Sequence, residues 1–152
     1  MIYFIMARLQ ILKSPDESLL RTSRPVTEFD ERLHQLLDDM KETMFAAGGM
    51  GLAAPQVGRL VRAVVVEGRD GLVELVNPEV VFAKRQKNGE ERCLSVPGSA
   101  YTVGRFQRID VRAQSRFGEW FEQTFKGMDA VCVQHEIDHL DGKLITETGE
   151  VK

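Results

Sequence analysis

Leu33, Leu36, Leu37, Met40 and Met44 recur at helical spacing. They predict an amphipathic helix over about 30–47, with Thr27 or Asp30 at its N-cap and Gly48–Gly49 stopping it. A glycine-rich loop, GMGLAAPQVG, is expected next. RAVVVE (62–67) and LVELV (72–76) read as strands around a turn at 68–71, and Asn77-Pro78 is expected to break the second. EVVFAKRQ (79–86) reads as a third strand. QRIDVRAQS (107–115) and EWFEQTFK (119–126) alternate on either side of an RFG turn and predict a hairpin. A last helix is expected over 128–140, with Gly142 past its end. On a wheel it carries two apolar stripes. Met128, Val131, Cys132, His135 and His139 form one, and Val133, Ile137 and Leu140 the other. Apolar residues on both sides predict burial. The expected class is therefore α+β, with mostly antiparallel sheets packed around this central helix.

The chain has 152 residues, which suits a single domain, 1–152, with one core; neither repeats nor a linker divide it. Net charge is −3, from 23 acids and 20 bases, and no sustained basic patch points to nucleic acid. No apolar run is long enough to span a bilayer. MIYFIMAR lacks the basic start and cleavage site of a secretory signal, and reads as an edge strand or as extra residues before a start at Met6. A cytoplasmic protein is expected. Cys93 and Cys132 are then better read as metal-binding or buried than as a disulfide.

The buried helix carries QHEIDHLDG. His135 and His139, at i and i+4, present two imidazoles on one face, one turn apart, where they can hold one metal ion. Glu136 lies beside that face, placed to act as general base on water. An exposed H-E-x-x-H pattern can arise by chance. In an apolar helix, two histidines and a glutamate would be costly without partners. A hydrolytic site commonly has a third protein ligand and an open position. Only 13 residues follow His139, and none is histidine. Cys132 lies seven residues from His139, about 10 Å along the helix, too far to share an ion easily, and reads as a wall residue. His34 belongs to the polar side of the first helix and reads as a solvated surface residue. Cys93, in EERCLSVPG on a loop or strand end, remains as the thiol able to serve.

GMGLAAPQ (49–56), ERCLS (91–95) and QHEIDH (134–139), in that order, resemble the three signature motifs of peptide deformylases. PDESLLRTSRPV resembles that family's N-terminal segment, so the resemblance covers most of the chain. It implies a metal-dependent hydrolase that removes the formyl group from the N-terminal methionine of newly made proteins and releases formate. It implies Cys93, His135 and His139 as metal ligands and Glu136 as the proton carrier. Gln56 and the backbone N–H of Leu94 would donate to the developing oxyanion. Gly51 would let the loop approach the substrate closely. Met50, Met128, Val131 and Cys132 are nominated for the methionine pocket, a set equally compatible with core packing.

The family is typically an iron enzyme, so Fe(II) is the expected native ion, with Zn, Ni or Co as alternatives in recombinant protein. Formyl-Met N-termini of nascent chains are the expected partners, which implies work in reach of the ribosome. Arg92 departs from the family, which usually has glycine there. It either lines the cleft rim, where it could bind peptide carbonyls or a carboxylate, or pairs with Glu90 or Glu91 in solvent. Two rival functions are a zincin-type peptidase and a deformylase-like metal-binding protein with weak or lost activity. The missing downstream ligand argues against the first, and Glu136 with Gln56 against the second.

Overall fold

The structure is a computed structural model that describes residues 7–151. The expectation for the chain's first six residues lies outside that span. After a 3-10 turn at Glu17–Leu20, helix α1 runs Glu31–Ala46. Its N-cap is Asp30 rather than Thr27, because the Asp30 carboxylate accepts the Leu33 N–H at 3.2 Å. Strand β1 (Gly51–Ala53) follows and leads into a 3-10 turn, Ala54–Val57. The expected glycine-rich loop is thus partly strand: Gly51, Leu52 and Ala53 pair with Val66, Val65 and Val64 of β2 (Ala63–Gly68).

The long strands β3 (Gly71–Cys93) and β4 (Val96–Gln114) and the shorter β5 (Trp120–Lys126) continue the sheet in the order β1-β2-β3-β4-β5. Strand β6 (Gly149–Val151) also pairs with β4. Every ladder among these described strands is antiparallel. Helix α2 spans Met128–Leu140 and the one-turn helix α3 spans Ile145–Thr148.

The expected break at Asn77-Pro78 is a bulge inside β3, not an end. Register shifts between Val76 and Glu79, and Asn77 adopts φ 51°, a conformation asparagine tolerates. The Asn77 side chain replaces the interrupted ladder. Its oxygen accepts the Val26 N–H at 2.8 Å, and its NH₂ donates to Val26 O at 2.9 Å and Gln114 Oε1 at 2.8 Å. The expected hairpin is present as β4 and β5, but β4 begins at Val96, eleven residues before the expected 107.

Successive side chains of β2 point to opposite faces. Val64 and Val66 face α2 and pack with Ala130, Val133 and Leu140, along with Leu75, Ile109, Val111 and Phe125. Ala63 and Val65 face α1 and pack with Leu37, Met40 and Met44. A strand covered on both sides explains why its first four residues, AVVV (63–66), are all apolar and buried. Helix α2 ends where Gly142 turns with φ 72°. A Cβ there would sit 2.5 Å from Leu20 O, so the chain requires glycine at that contact. The Leu140 carbonyl accepts from Ser23 N–H at 2.8 Å and from Arg62 Nη1 at 3.1 Å.

The two stripes of α2 have different surroundings. Val133 and Leu140 are fully buried in the core, and Ile137 is partly buried against it. The other stripe runs from buried His135 and His139, through half-buried Val131 and Cys132, to Met128, which is 64% exposed. The expectation of a helix buried on both sides is corrected there: that stripe is a cleft wall.

Candidate metal centre and its cleft

The centre is assembled from three places. Cys93 is the last residue of β3, His135, Glu136 and His139 come from α2, and Gln56 comes from the 3-10 turn after β1. The ligand atoms of Cys93, His135 and His139 lie within 4.8 Å of one another, and all three residues are buried. Cys93 Sγ is 3.4 Å from His139 Nε2. A thiol and two imidazoles form an N₂S donor set suited to a borderline divalent ion. Cys132 is not in this group; it is a half-buried wall residue whose thiol pKa is raised by burial and by Glu136, Asp129 and Glu91. Both cysteines are free.

His135 Nδ1 lies 2.9 Å from Glu91 Oε1. With its proton on Nδ1, the ring turns Nε2 towards the other two ligand atoms. Burial alone would depress His135, but Glu136, Cys93 and Glu91 outweigh it and raise its pKa to about 10. A cation entering the site would displace a proton. His139 is pushed the other way, to about 3, by burial, His135 and Arg105. It is therefore a neutral nitrogen donor at neutral pH.

Glu136 is buried beside the ligands, and its Oε1 has no hydrogen-bond partner among the described residues. Burial lifts its pKa to about 7, against the opposing pull of His135 and Arg105. The buried Nδ1 of His139 is likewise unpartnered among the described residues. An unpaired carboxylate oxygen beside clustered soft donors is what a cation and a water could satisfy, so the residues present fit the ion.

Gln56 is oriented by its neighbours. Its oxygen accepts the Ala53 N–H at 2.9 Å, so its NH₂ is left to point inwards. That NH₂ donates to Ser95 Oγ at 3.1 Å and lies 3.9 Å from Cys93 Sγ. Gln56, Glu136, Cys93 and His135 line a cleft of about 630 Å³, whose walls include Gly51, Leu94, Val131 and Cys132. Met50 and Met128 also line it, but both are largely exposed and form its rim. His139 sits behind the lining.

Gly51, which lines the cleft, also runs close to protein atoms of α2. A Cβ on Gly51 would lie 2.7 Å from Glu136 Oε2 and 2.9 Å from Cys132 Sγ. The Arg92 side chain lines the cleft mouth, is 69% exposed, and pairs with Glu90 at 3.6 Å. His34 is not simply solvated as expected: its Nε2 lies 2.9 Å from Arg116 O, and its ring packs edge-on against Phe117.

Sequence reasoning missed the support of this centre. Glu91 appeared only as a possible surface partner of Arg92. It is buried, binds His135, and accepts from Arg105 Nε at 2.8 Å and Nη2 at 3.0 Å. Arg105 Nη1 also donates to Asp138 Oδ2 at 2.5 Å. The available signal was weak: an acid two residues before the candidate thiol and another one residue before the second histidine.

Comparison with known proteins extends these observations. The family model described as polypeptide deformylase matches residues 8–150. A peptide deformylase of Caldicellulosiruptor bescii is 50% identical over 142 residues, covering 93% of this chain and 86% of that protein. A peptide deformylase crystal structure from Legionella pneumophila superposes with a TM-score of 0.90 at 46% identity, covering 93% of this chain and 86% of that one. A Met-Ala-Ser-bound class I type b peptide deformylase from Acinetobacter baumannii gives 0.89 at 35% identity, with coverage of 95% and 99%.

Proposed function

Because the chain belongs to the polypeptide deformylase family, we propose that its cleft hydrolyses the formamide of N-terminal formyl-methionine, with Cys93, His135 and His139 holding the required ion. The observation that carries this reading is the convergence of those three ligand atoms within 4.8 Å, beside the unpartnered Glu136 oxygen. The α2 helix bearing H-E-x-x-H packs against the sheet on one side and lines the cleft on the other, which supports this reading. A divalent ion bound there supplies Lewis acidity to water and to the formyl carbonyl.

The remaining work falls to the protein. Glu136, raised to about 7 by burial, accepts a proton from the attacking water as the water oxygen bonds to the formyl carbon. Gln56 Nε2–H and the Leu94 N–H donate to the carbonyl oxygen as its negative charge grows. The bond between Gln56 Oε1 and Ala53 N–H keeps that amide from turning its acceptor towards the oxyanion. Glu136 then passes the proton to the leaving nitrogen as the C–N bond breaks. The products are formate and a free methionine amine.

The methionine side chain occupies the apolar wall of Val131 and Cys132, closed at the rim by Met50 and Met128. Gly51 lets β1 run close against Glu136 and Cys132 beside that pocket. Arg92 stands at the mouth, along the path of the residues after methionine. The Met-Ala-Ser complex of the A. baumannii protein supports a short N-terminal methionine peptide as the occupant. We assign Fe(II) as the native ion, with Zn, Ni or Co able to replace it in recombinant protein. The cytoplasm, in reach of nascent chains on the ribosome, is the proposed place of work. No helix among the described residues is long and apolar enough to cross a membrane.

A zincin-type peptidase is disfavoured, because the candidate third ligand is the upstream Cys93. Formyl-Met-Ala-Ser incubated with metal-loaded protein in the absence of oxygen separates the readings. Formate and intact Met-Ala-Ser are expected, whereas cleavage of an internal peptide bond would overturn the proposal.

A further inference from the structure

We infer that Arg105 is a positioning residue of the metal centre: it ties the strand bearing the thiol to the helix bearing both imidazoles. The inference rests on the metal-site reading above. Arg105 lies on β4 and supplies no ligand, yet its guanidinium reaches both ligand-bearing elements. Two of its N–H groups grip the Glu91 carboxylate, from Nε at 2.8 Å and Nη2 at 3.0 Å. Glu91 lies two residues before Cys93 in β3. A third N–H, on Nη1, holds Asp138 at 2.5 Å, one residue before His139 in α2. Glu91 Oε1 in turn meets His135 Nδ1 at 2.9 Å. One cation thus stands between the segments that deliver Cys93, His135 and His139.

Stability alone gives no reason for this arrangement. The side chains of Arg105 and Glu91 are 7% and 6% exposed. A buried ion pair commonly contributes no more than well-packed apolar residues of the same volume. Two features point to position instead. Glu91 both fixes the proton of His135 on Nδ1 and is itself held by a two-point grip, so it cannot rotate away from the ring. The guanidinium serves three carboxylate oxygens from one rigid plane, a geometry a lysine ammonium does not reproduce. The expected consequence is a donor set whose spacing is built before the ion arrives. Without Arg105, Glu91 can swing, the His135 ring loses its orientation, and the distance from Cys93 to the imidazoles is no longer set.

The test uses the whole chain freed of metal, titrated with Co²⁺ against a competing chelator and followed by thiolate-to-metal charge-transfer absorption. Arg105→Lys and Glu91→Gln are each expected to weaken Co²⁺ binding about 10- to 100-fold and to shift or broaden that absorption. The double variant is expected to lose much less than the product of the two single losses, because both break one linkage. Asp138→Asn, which removes one arm at a more exposed residue, serves if Arg105→Lys does not fold; weakened Co²⁺ binding with native thermal unfolding of the metal-free protein is again expected. Wild-type Co²⁺ affinity and absorption in a folded Arg105→Lys or Asp138→Asn protein overturns the inference alone. A wild-type protein that takes up no Co²⁺ overturns the metal reading and this inference with it.

Discussion

Gly51→Ala places one methyl group against the general base, and its cost follows from the geometry. Gly51 is not in a left-handed conformation, so alanine introduces no backbone strain and the effect is steric. The new Cβ would stand 2.7 Å from Glu136 Oε2, 3.0 Å from Glu136 Cγ and 2.9 Å from Cys132 Sγ. Ordinary contact begins near 3.4 Å, so Glu136 must retreat by 3.4 − 2.7 = 0.7 Å. Overpacking of this kind costs about 1–3 kcal/mol of stability, at about 2–4 °C of Tm per kcal/mol for a chain of this size. Misplacing a catalytic group by about 1 Å can cost about 100-fold. A displacement of 0.7 Å is therefore expected to lower kcat/KM about 10- to 100-fold, with metal content unchanged. Formate release from formyl-Met-Ala, metal analysis and thermal unfolding of the metal-free protein read the three quantities. Adding Cys132→Ala removes the sulfur contact but not the carboxylate contact, so it should recover stability without recovering activity. Wild-type kcat/KM in folded Gly51→Ala would refute the placement of Glu136 as the base against this wall.

Glu136→Gln should retain the ion and lose about 10²- to 10⁴-fold in kcat, since shape is kept and the base is removed; near-normal turnover would exclude Glu136 from that role. In wild type the base must be ionised, so kcat/KM is expected to fall as pH drops through the Glu136 titration. Burial sets that titration near 7, and the positive charge of a bound ion moves the limb to lower pH. Activity that rises steadily from pH 7 to pH 5 would contradict it. Cys93→Ala should abolish stoichiometric metal binding while Cys132→Ala keeps it, because Cys132 lies outside the ligand group; equal loss in both would break the ligand assignment. Arg92→Gly should lower kcat/KM by up to about 5-fold for formyl-Met peptides with a free C-terminal carboxylate, the worth of an exposed ion pair, and by less for amidated ones; identical kinetics on both would remove Arg92 from the substrate path.

What could be read from sequence was what depends on local spacing. The leucines and methionines of α1 and the residues of α2 repeat at helical period, and the boundaries found, Glu31–Ala46 and Met128–Leu140, lie within a residue of those expected. The β4–β5 hairpin was equally local. Asn77-Pro78 misled because the pair reads as a breaker, and only the distant Val26 and Gln114 reveal that the Asn77 amide carries the strand through. The extension of β3 and β4 through 87–106 was missed because its residues are mostly polar or exposed. The Glu91–Arg105–Asp138 linkage was missed because its members are 14 and 33 residues apart and meet only through register and helix packing. The motifs identified the chemistry, but which apolar residues form wall and which form rim depended on where α2 meets the cleft.

The most direct test is a titration of Fe(II), without oxygen, into metal-free protein while formate release from formyl-Met-Ala is measured. Activity should rise linearly and level off at one ion per chain, and Cys93→Ala should stay inactive throughout. Formate release that is unaffected by removing the metal, or a folded wild-type protein that binds one ion and releases no formate, would contradict the assignment of this cleft as a metal-dependent deformylase site.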